Sequence, residues 1–280
     1  MRIQLLLIML LSCVSCKPKD TANLKITNGK LSTLKSSVVS LTIYKRNGTS
    51  GNCTGSIVKE KGFLMLLTAS HCMKDMKEVY IVDSRRPDES MSQWRARVTG
   101  RGNKSVKVSV QANKSHFEAT GSLKRAEHDF AMGLIKESET DPELYKNFKR
   151  NALSIGYDVD VNPEKLSGHI KYIGAGATES MTEYGFLKEG NFNIAPRESS
   201  NPNTLIVDVC NIGLSCTKTR PGDSGSPLLY QDPETKENKV IGVLLGGRTE
   251  SESLYANLGG NRFPNQINGI IEALNCQPKK

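Results

Sequence analysis

An all-β fold, arranged as a sandwich or as barrels, is what the pattern of short apolar runs predicts for this 280-residue chain. Three observations carry the prediction. The runs are short and rich in Val, Ile, Thr and Tyr, residues that fit a pleated, half-buried surface. Gly, Asn, Asp, Ser and Pro separate them, as tight turns require. Helical spacing is clear only near the C-terminus. A chain of this length can bury a large core, as one large domain or two small ones.

Taken in chain order, "SSVVSLTIY", "TGSIV", "FLMLLTA", "VYIV", "VKVSVQA" and "DFAMGLI" read as strands of a first half. "HIKYIGA", "TLIVDV", "SPLLY", "VIGVLLG" and "LYANL" continue the series in a second half. The polar stretches "RRPDESMSQWRARVTGRGNKS" and "ESSNPNTL" read as loops. In "PNQINGIIEALN", Ile267, Ile270, Ile271 and Leu274 fall on one helical face, after Pro264 and with Asn265 as a candidate cap.

The N-terminus places the chain in a compartment. "MRIQLLLIMLLSCVSC" has a basic Arg2, an apolar run too short to span a bilayer, and then small residues with two cysteines. This is a secretory signal, and it resembles a bacterial lipobox in which Cys13 or Cys16 takes the lipid. Residues 1–16 are therefore assigned to the signal and 17–25 to a polar tether or propeptide. The expected location is the cell envelope, through a lipid anchor in the membrane, or the medium. The formal charge of +9 is scattered among acids, with neither a basic helix nor an aromatic platform, which argues against nucleic acid as a partner. Export permits disulfides among Cys53, Cys72, Cys210, Cys216 and Cys276, an odd number, so either one thiol stays free or one of Cys13 and Cys16 pairs with it.

The segment "RPGDSGSPLLY" crowds Gly, Pro, Asp and Ser before a strand. Such residues are ordinary in turns, but a serine between glycines also suits a nucleophile that needs a base to take its proton. Four histidines are available, and His71 in "LLTASHCM" ends an apolar strand that can hold it rigidly. Asp129, just before "FAMGLI", is a candidate to orient that imidazole.

In this order and context, "TASHC", "DFAMGL" and "GDSGSP" resemble the signatures of the trypsin-like serine endopeptidases. The spacing has the right scale: 58 residues from His71 to Asp129 and 95 from Asp129 to Ser224. The resemblance implies two six-stranded antiparallel β-barrels with a C-terminal α-helix over residues 26–276, the first barrel ending near 145. It implies protein or peptide substrates, no cofactor and no metal. Ser224 would attack the scissile carbonyl, His71 would carry the proton, Asp129 would orient His71, and the backbone N–H groups of Gly222 and Ser224 would form the oxyanion hole. A Cys53–Cys72 disulfide beside His71 is implied as well, and Cys210–Cys216 is preferred as the second. Leu245, Gly246 and Gly247 would bind the substrate backbone.

The resemblance also gives Asp223 a role, since the acid before the serine pairs in this family with an amino terminus released by cleavage. "LKITNGK" supplies Lys25 and Ile26, 45 residues before His71, although Thr27 and Asn28 depart from the family pattern. Cutting after Lys25 by an activating protease would free Ile26 to join Asp223. The alternative is that Lys25 belongs to the tether and the enzyme acts uncut. Where trypsin itself carries its specificity acid, six residues before the nucleophile, this chain has Lys218, so cleavage after Lys or Arg does not carry over. The opposite wall carries Arg248, Glu252 and Ser253; Lys218 or Arg248 in the pocket would favour acidic side chains, and Glu252 basic ones. Gly246 stands where a large aromatic is usual, which opens the groove. A catalytically silent, protease-like binding module is the competing reading, although such modules generally lose a member of the set kept here.

Overall fold

A computed structural model of the chain describes residues 30–31, 37–86, 88–99, 105–177, 185–191, 196–208, 219–249, 251–260 and 263–275. After β1 (Lys30–Leu31) come β2 (Val38–Lys45), β3 (Ser50–Glu60), β4 (Phe63–Thr68) and β5 (Met76–Val82). Helix α1 (Met91–Thr99) precedes β6 (Val106–Ala112), and the short helices α2 (Lys114–Glu118) and α3 (Ser122–Glu127) lead into β7 (Ala131–Leu134). Strands β2 to β7 close into an antiparallel barrel in the order β2-β3-β4-β7-β6-β5. Closure leaves no open edge and buries Leu41, Ile43, Ile57, Met65, Leu67, Val79 and Ile81.

Helix α4 (Pro142–Asn151) crosses to the second half, and the division expected near residue 145 falls inside it. There follow β8 (Ser154–Ile155), α5 (Pro163–Leu166), β9 (Ile170–Gly174), β10 (Lys188–Asn191), β11 (Arg197–Glu198), β12 (Thr204–Asp208), β13 (Pro227–Gln231), β14 (Asn238–Gly247), β15 (Glu252–Asn257) and α6 (Pro264–Asn275). These strands form a nine-stranded sheet in the order β1-β10-β9-β13-β14-β15-β12-β11, with β8 beside β14. The N-terminal fragment thus joins the sheet of the second half, through Leu31 opposite Lys188. The mostly-β prediction holds, and each quoted run lies on a strand.

Helices are where the sequence reading needs correction. The stretch read as loop contains α1, which starts at a reciprocal cap: Gln93 N donates to Ser90 Oγ at 3.2 Å, and Ser90 N donates to Gln93 Oε1 at 2.8 Å. Trp94 and Val98, four residues apart, are buried beside Val82. Helix α4 likewise starts on a local signal, with Asp141 accepting from Leu144 N at 3.0 Å ahead of Pro142. The C-terminal helix begins at Pro264, so Asn265 lies inside its first turn rather than capping it. Its apolar face, Ile267, Ile270, Ile271 and Leu274, returns to pack on β6 and β7 of the barrel.

Candidate active site

His71 begins a 3-10 turn, His71–Met73, directly after β4. Its position is fixed from behind by Ser70, whose hydroxyl donates to Phe130 O at 2.6 Å and accepts from Asn113 N at 3.0 Å. Asn113 Nδ2 in turn donates to Gln266 Oε1 at 2.9 Å, which ties α6 to this corner. Asp129 stands one residue before Phe130 and is buried. Its two oxygens divide their work. Oδ1 accepts from the His71 backbone N–H at 2.8 Å, and Oδ2 lies 2.6 Å from the His71 ring Nδ1. One carboxylate therefore sets the backbone and the ring of His71 together, with Nδ1 as donor and Nε2 left as the base nitrogen. A second imidazole, His116, places Nδ1 3.7 Å from Asp129 Oδ1 and 2.8 Å from Arg125 O, a neighbour that no sequence motif marks.

Ser224 sits in a turn held by β3 and β14. Thr54 is the main tether. Its N–H donates to Ser224 O at 2.9 Å and its hydroxyl donates to Gly222 O at 2.9 Å. The same hydroxyl accepts from Ala175 N at 3.0 Å. From the other side Gly225 N donates to Leu244 O, and Leu244 N to Ser226 O, both at 2.8 Å. Gly222 and Gly225 have φ of 93° and 85°, a region that side chains make costly. Among the described residues, no carbonyl or side chain accepts from the N–H of Gly222 or of Ser224.

The histidine turn and the serine turn meet at the Cys53–Cys72 disulfide, which joins the residue before Thr54 to the residue after His71. Cys72 Sγ lies 3.9 Å from Ser224 O. Asp223, between Gly222 and Ser224, points inward and is fully buried. Gly176 N donates to its Oδ1 at 2.6 Å and Arg220 N to its Oδ2 at 2.7 Å. Burial pushes its carboxyl up from the usual range, and hydrogen bonds from Tyr172, Arg220 and Gly176 with the Lys188 charge pull it back in part.

The expected substrate strand is the end of β14. Its pairing with β15 shifts register between Leu244 and Gly246, which leaves Leu245 as a bulge, and Gly247 then faces Ser253. A Cβ built on Gly246 would meet no atom of the described residues within 4 Å. Ser253 Oγ lies 3.0 Å from Thr219 Oγ1. Glu252 takes an ion pair from Arg197 and another from Arg248 at 3.5 Å, so its charge is engaged on the sheet. Lys218, Cys210, Cys216, Ile26, Cys13 and Cys16 lie outside the described residues.

Fold and site together define a trypsin-like serine-type endopeptidase. Residues 14–258 match the lysyl endopeptidase C-terminal domain family, and the chain belongs to that family. No curated protein matches it. Among solved structures, the protease Anisep from Arthrobacter nicotinovorans is 13% identical with a TM-score of 0.59, covering 88% of this chain and 98% of its own. A thermostable serine protease, AL20, from an extremophilic microorganism is 13% identical, with a TM-score of 0.57 and coverage of 87% and 99%. HL collagenase is 16% identical, with a TM-score of 0.55 and coverage of 88% and 98%. At these identities the likeness is one of fold.

Proposed function

We propose that the chain is an exported serine endopeptidase that cleaves peptide bonds through an acyl-enzyme formed on Ser224. The observation that carries this reading is the double hold of Asp129 on His71, at 2.6 Å on the ring and 2.8 Å on the backbone. In the first step Ser224 Oγ bonds to the scissile carbonyl carbon while His71 Nε2 takes the hydroxyl proton. The carbonyl oxygen becomes an oxyanion that accepts from Gly222 N–H and Ser224 N–H. Collapse breaks the C–N bond, and His71 returns the proton to the leaving amine. Water then repeats the sequence and frees the acid. Asp129 stabilises the imidazolium at both proton transfers.

Leu245 and Gly247 supply backbone groups to a substrate held in β arrangement, and Gly246 leaves room beside them. Among the described residues, Thr219 and Ser253 contribute hydroxyls to the pocket wall. Glu252 is already paired with two arginines, so it does not supply a specificity charge for lysine. Export rests on the N-terminal signal, with Cys13 or Cys16 as the lipid-bearing residue.

The test is intact mass after fluorophosphonate treatment of protein from membrane and medium fractions. One adduct on wild type and none on Ser224→Ala supports the endopeptidase. A chain that stays unlabelled, cut or uncut, is instead the silent binding module.

A further inference from the structure

A fully buried lysine is rare, and Lys188 is one. It lies on β10 directly opposite Gly174 of β9. Residues opposed in an antiparallel pair project to the same face of the sheet. On that face of Gly174 there is no side chain, and Asp223 fills the space: an ideal Cβ on Gly174 would lie 2.2 Å from Asp223 Oδ1 and 2.3 Å from the Tyr172 hydroxyl. Gly176, two residues on, is open to the same carboxylate, with an ideal Cβ 2.5 Å from Asp223 Cγ. Two missing side chains thus make the chamber that Asp223 and Tyr172 fill, and Lys188 stands across Gly174 on the same face of the sheet. Tyr172, Tyr255 and the Lys188 charge all act on Asp223.

We propose that the Lys188 ammonium is the internal counter-charge that holds Asp223 inward and positions the Gly222–Ser224 turn in a chain that has not been cut after Lys25. The assignment rests on the endopeptidase reading of that turn. Lys188 is a positioning residue, acting on substrate through Asp223 and the two N–H donors beside it. A buried carboxylate that loses its partner is strongly destabilised, whereas one matched by a cation keeps its place. The chamber needs one positive charge. Strand β1 pairs along the same strand, with Leu31 opposite Lys188, and Ile26 is four residues before Lys30 in sequence. A freed Ile26 ammonium would therefore be a second cation for a carboxylate already matched.

The experiment compares four full-length chains: wild type, Lys25→Ala, Lys188→Met and Lys188→Arg. Each is checked for an uncut N-terminus by mass, then followed by fluorophosphonate labelling and by kcat and KM on a peptide ester. Uncut Lys25→Ala should label and turn over within a few-fold of wild type. Lys188→Met should lose about 10²–10³-fold in kcat, the loss expected when an oxyanion donor is misplaced, with KM within a few-fold. Lys188→Arg should recover part of that loss, which a purely structural defect would not predict.

The double variant Asp223→Asn, Lys188→Met removes both buried charges and should fold while remaining slow, which separates positioning from collapse. Two outcomes overturn the proposal: a Lys25→Ala chain that is inert until nicked between residues 25 and 26, or a Lys188→Met chain as fast as wild type. If no chain labels in either form, the endopeptidase reading falls and the positioning role with it.

Discussion

Gly225 shows how tightly the residues around Ser224 are constrained. It holds φ at +85°, and a Cβ there would lie 2.2 Å from both Thr54 O and Thr68 Oγ1, which are themselves hydrogen-bonded to each other. Backbone cannot retreat without breaking that bond. Gly225→Ala should therefore cost about 2–4 kcal/mol, from overpacking and positive φ together, read as a lower denaturant midpoint with an unchanged slope. Asp129 makes a different kind of demand. Asparagine preserves its shape but places a donor or a weaker acceptor against His71 Nδ1, so the ring is left in the wrong tautomer. Asp129→Asn should lower kcat by about 10⁴-fold while stability changes little by comparison, measurable by ester hydrolysis beside thermal unfolding.

Two elements illustrate how local structure serves the site. Strand β3 carries Thr54, whose hydroxyl bridges Ala175 N and Gly222 O. Thr54→Val keeps the volume and loses the bridge, leaving the buried Ala175 N–H and the part-buried Gly222 carbonyl unmatched. The expected cost is about 1–3 kcal/mol, with a fall in kcat because Gly222 is released on one side. Helix α1 depends instead on charge. Arg97 holds Glu89 at 2.7 Å, and its hydrogen bond draws the Glu89 carboxyl from its ordinary 4.5 down to about 2.

A depressed carboxyl contributes stability that is complete above pH 4.5 and is lost as pH falls from 4.5 toward 2. Wild-type α1 should thus loosen across that window, and Glu89→Gln should flatten the response there. At neutral pH the same change should cost no more than about 1 kcal/mol, since the pair is partly exposed. Trp94 is the chain's single tryptophan and lies in α1, so its fluorescence reads the helix directly.

For the whole molecule, two ties hold the elements around the site. The Cys53–Cys72 bridge spans 19 residues within the first barrel. Replacing both cysteines by alanine should lower stability by about 3 kcal/mol, as chain entropy returns to the unfolded state. The same change should reduce kcat, because the His71 turn loses its covalent link to the strand that carries Thr54. Thermal unfolding and ester hydrolysis of the double variant check both effects. The α6 helix provides the second tie: it follows the second sheet in sequence but packs on β6 and β7, where Gln266 supports Asn113 and through it Ser70.

Much of this was legible in the chain because the signals are local. Strand runs announce themselves by β-branched residues between turn formers. His71, Asp129 and Ser224 are marked by short motifs at fixed spacing, and Cys53–Cys72 follows from the same resemblance. Helix α1 was legible too, in the Ser90–Gln93 capping box and the Trp94–Val98 pair, but the polar composition around it masked the period.

The rest depended on partners distant in sequence. No local pattern in "FLKEGN" marks Lys188, and its burial comes only with the register that sets it opposite Gly174. Glu252 reads as a pocket charge until Arg197 and Arg248 are found on either side. The sequence by itself determined the strands and the order of His71, Asp129 and Ser224 along the chain, since short-range pattern specifies each. The tertiary structure alone decided which charges are buried together, because pairing across a sheet joins residues whose proximity no local period encodes.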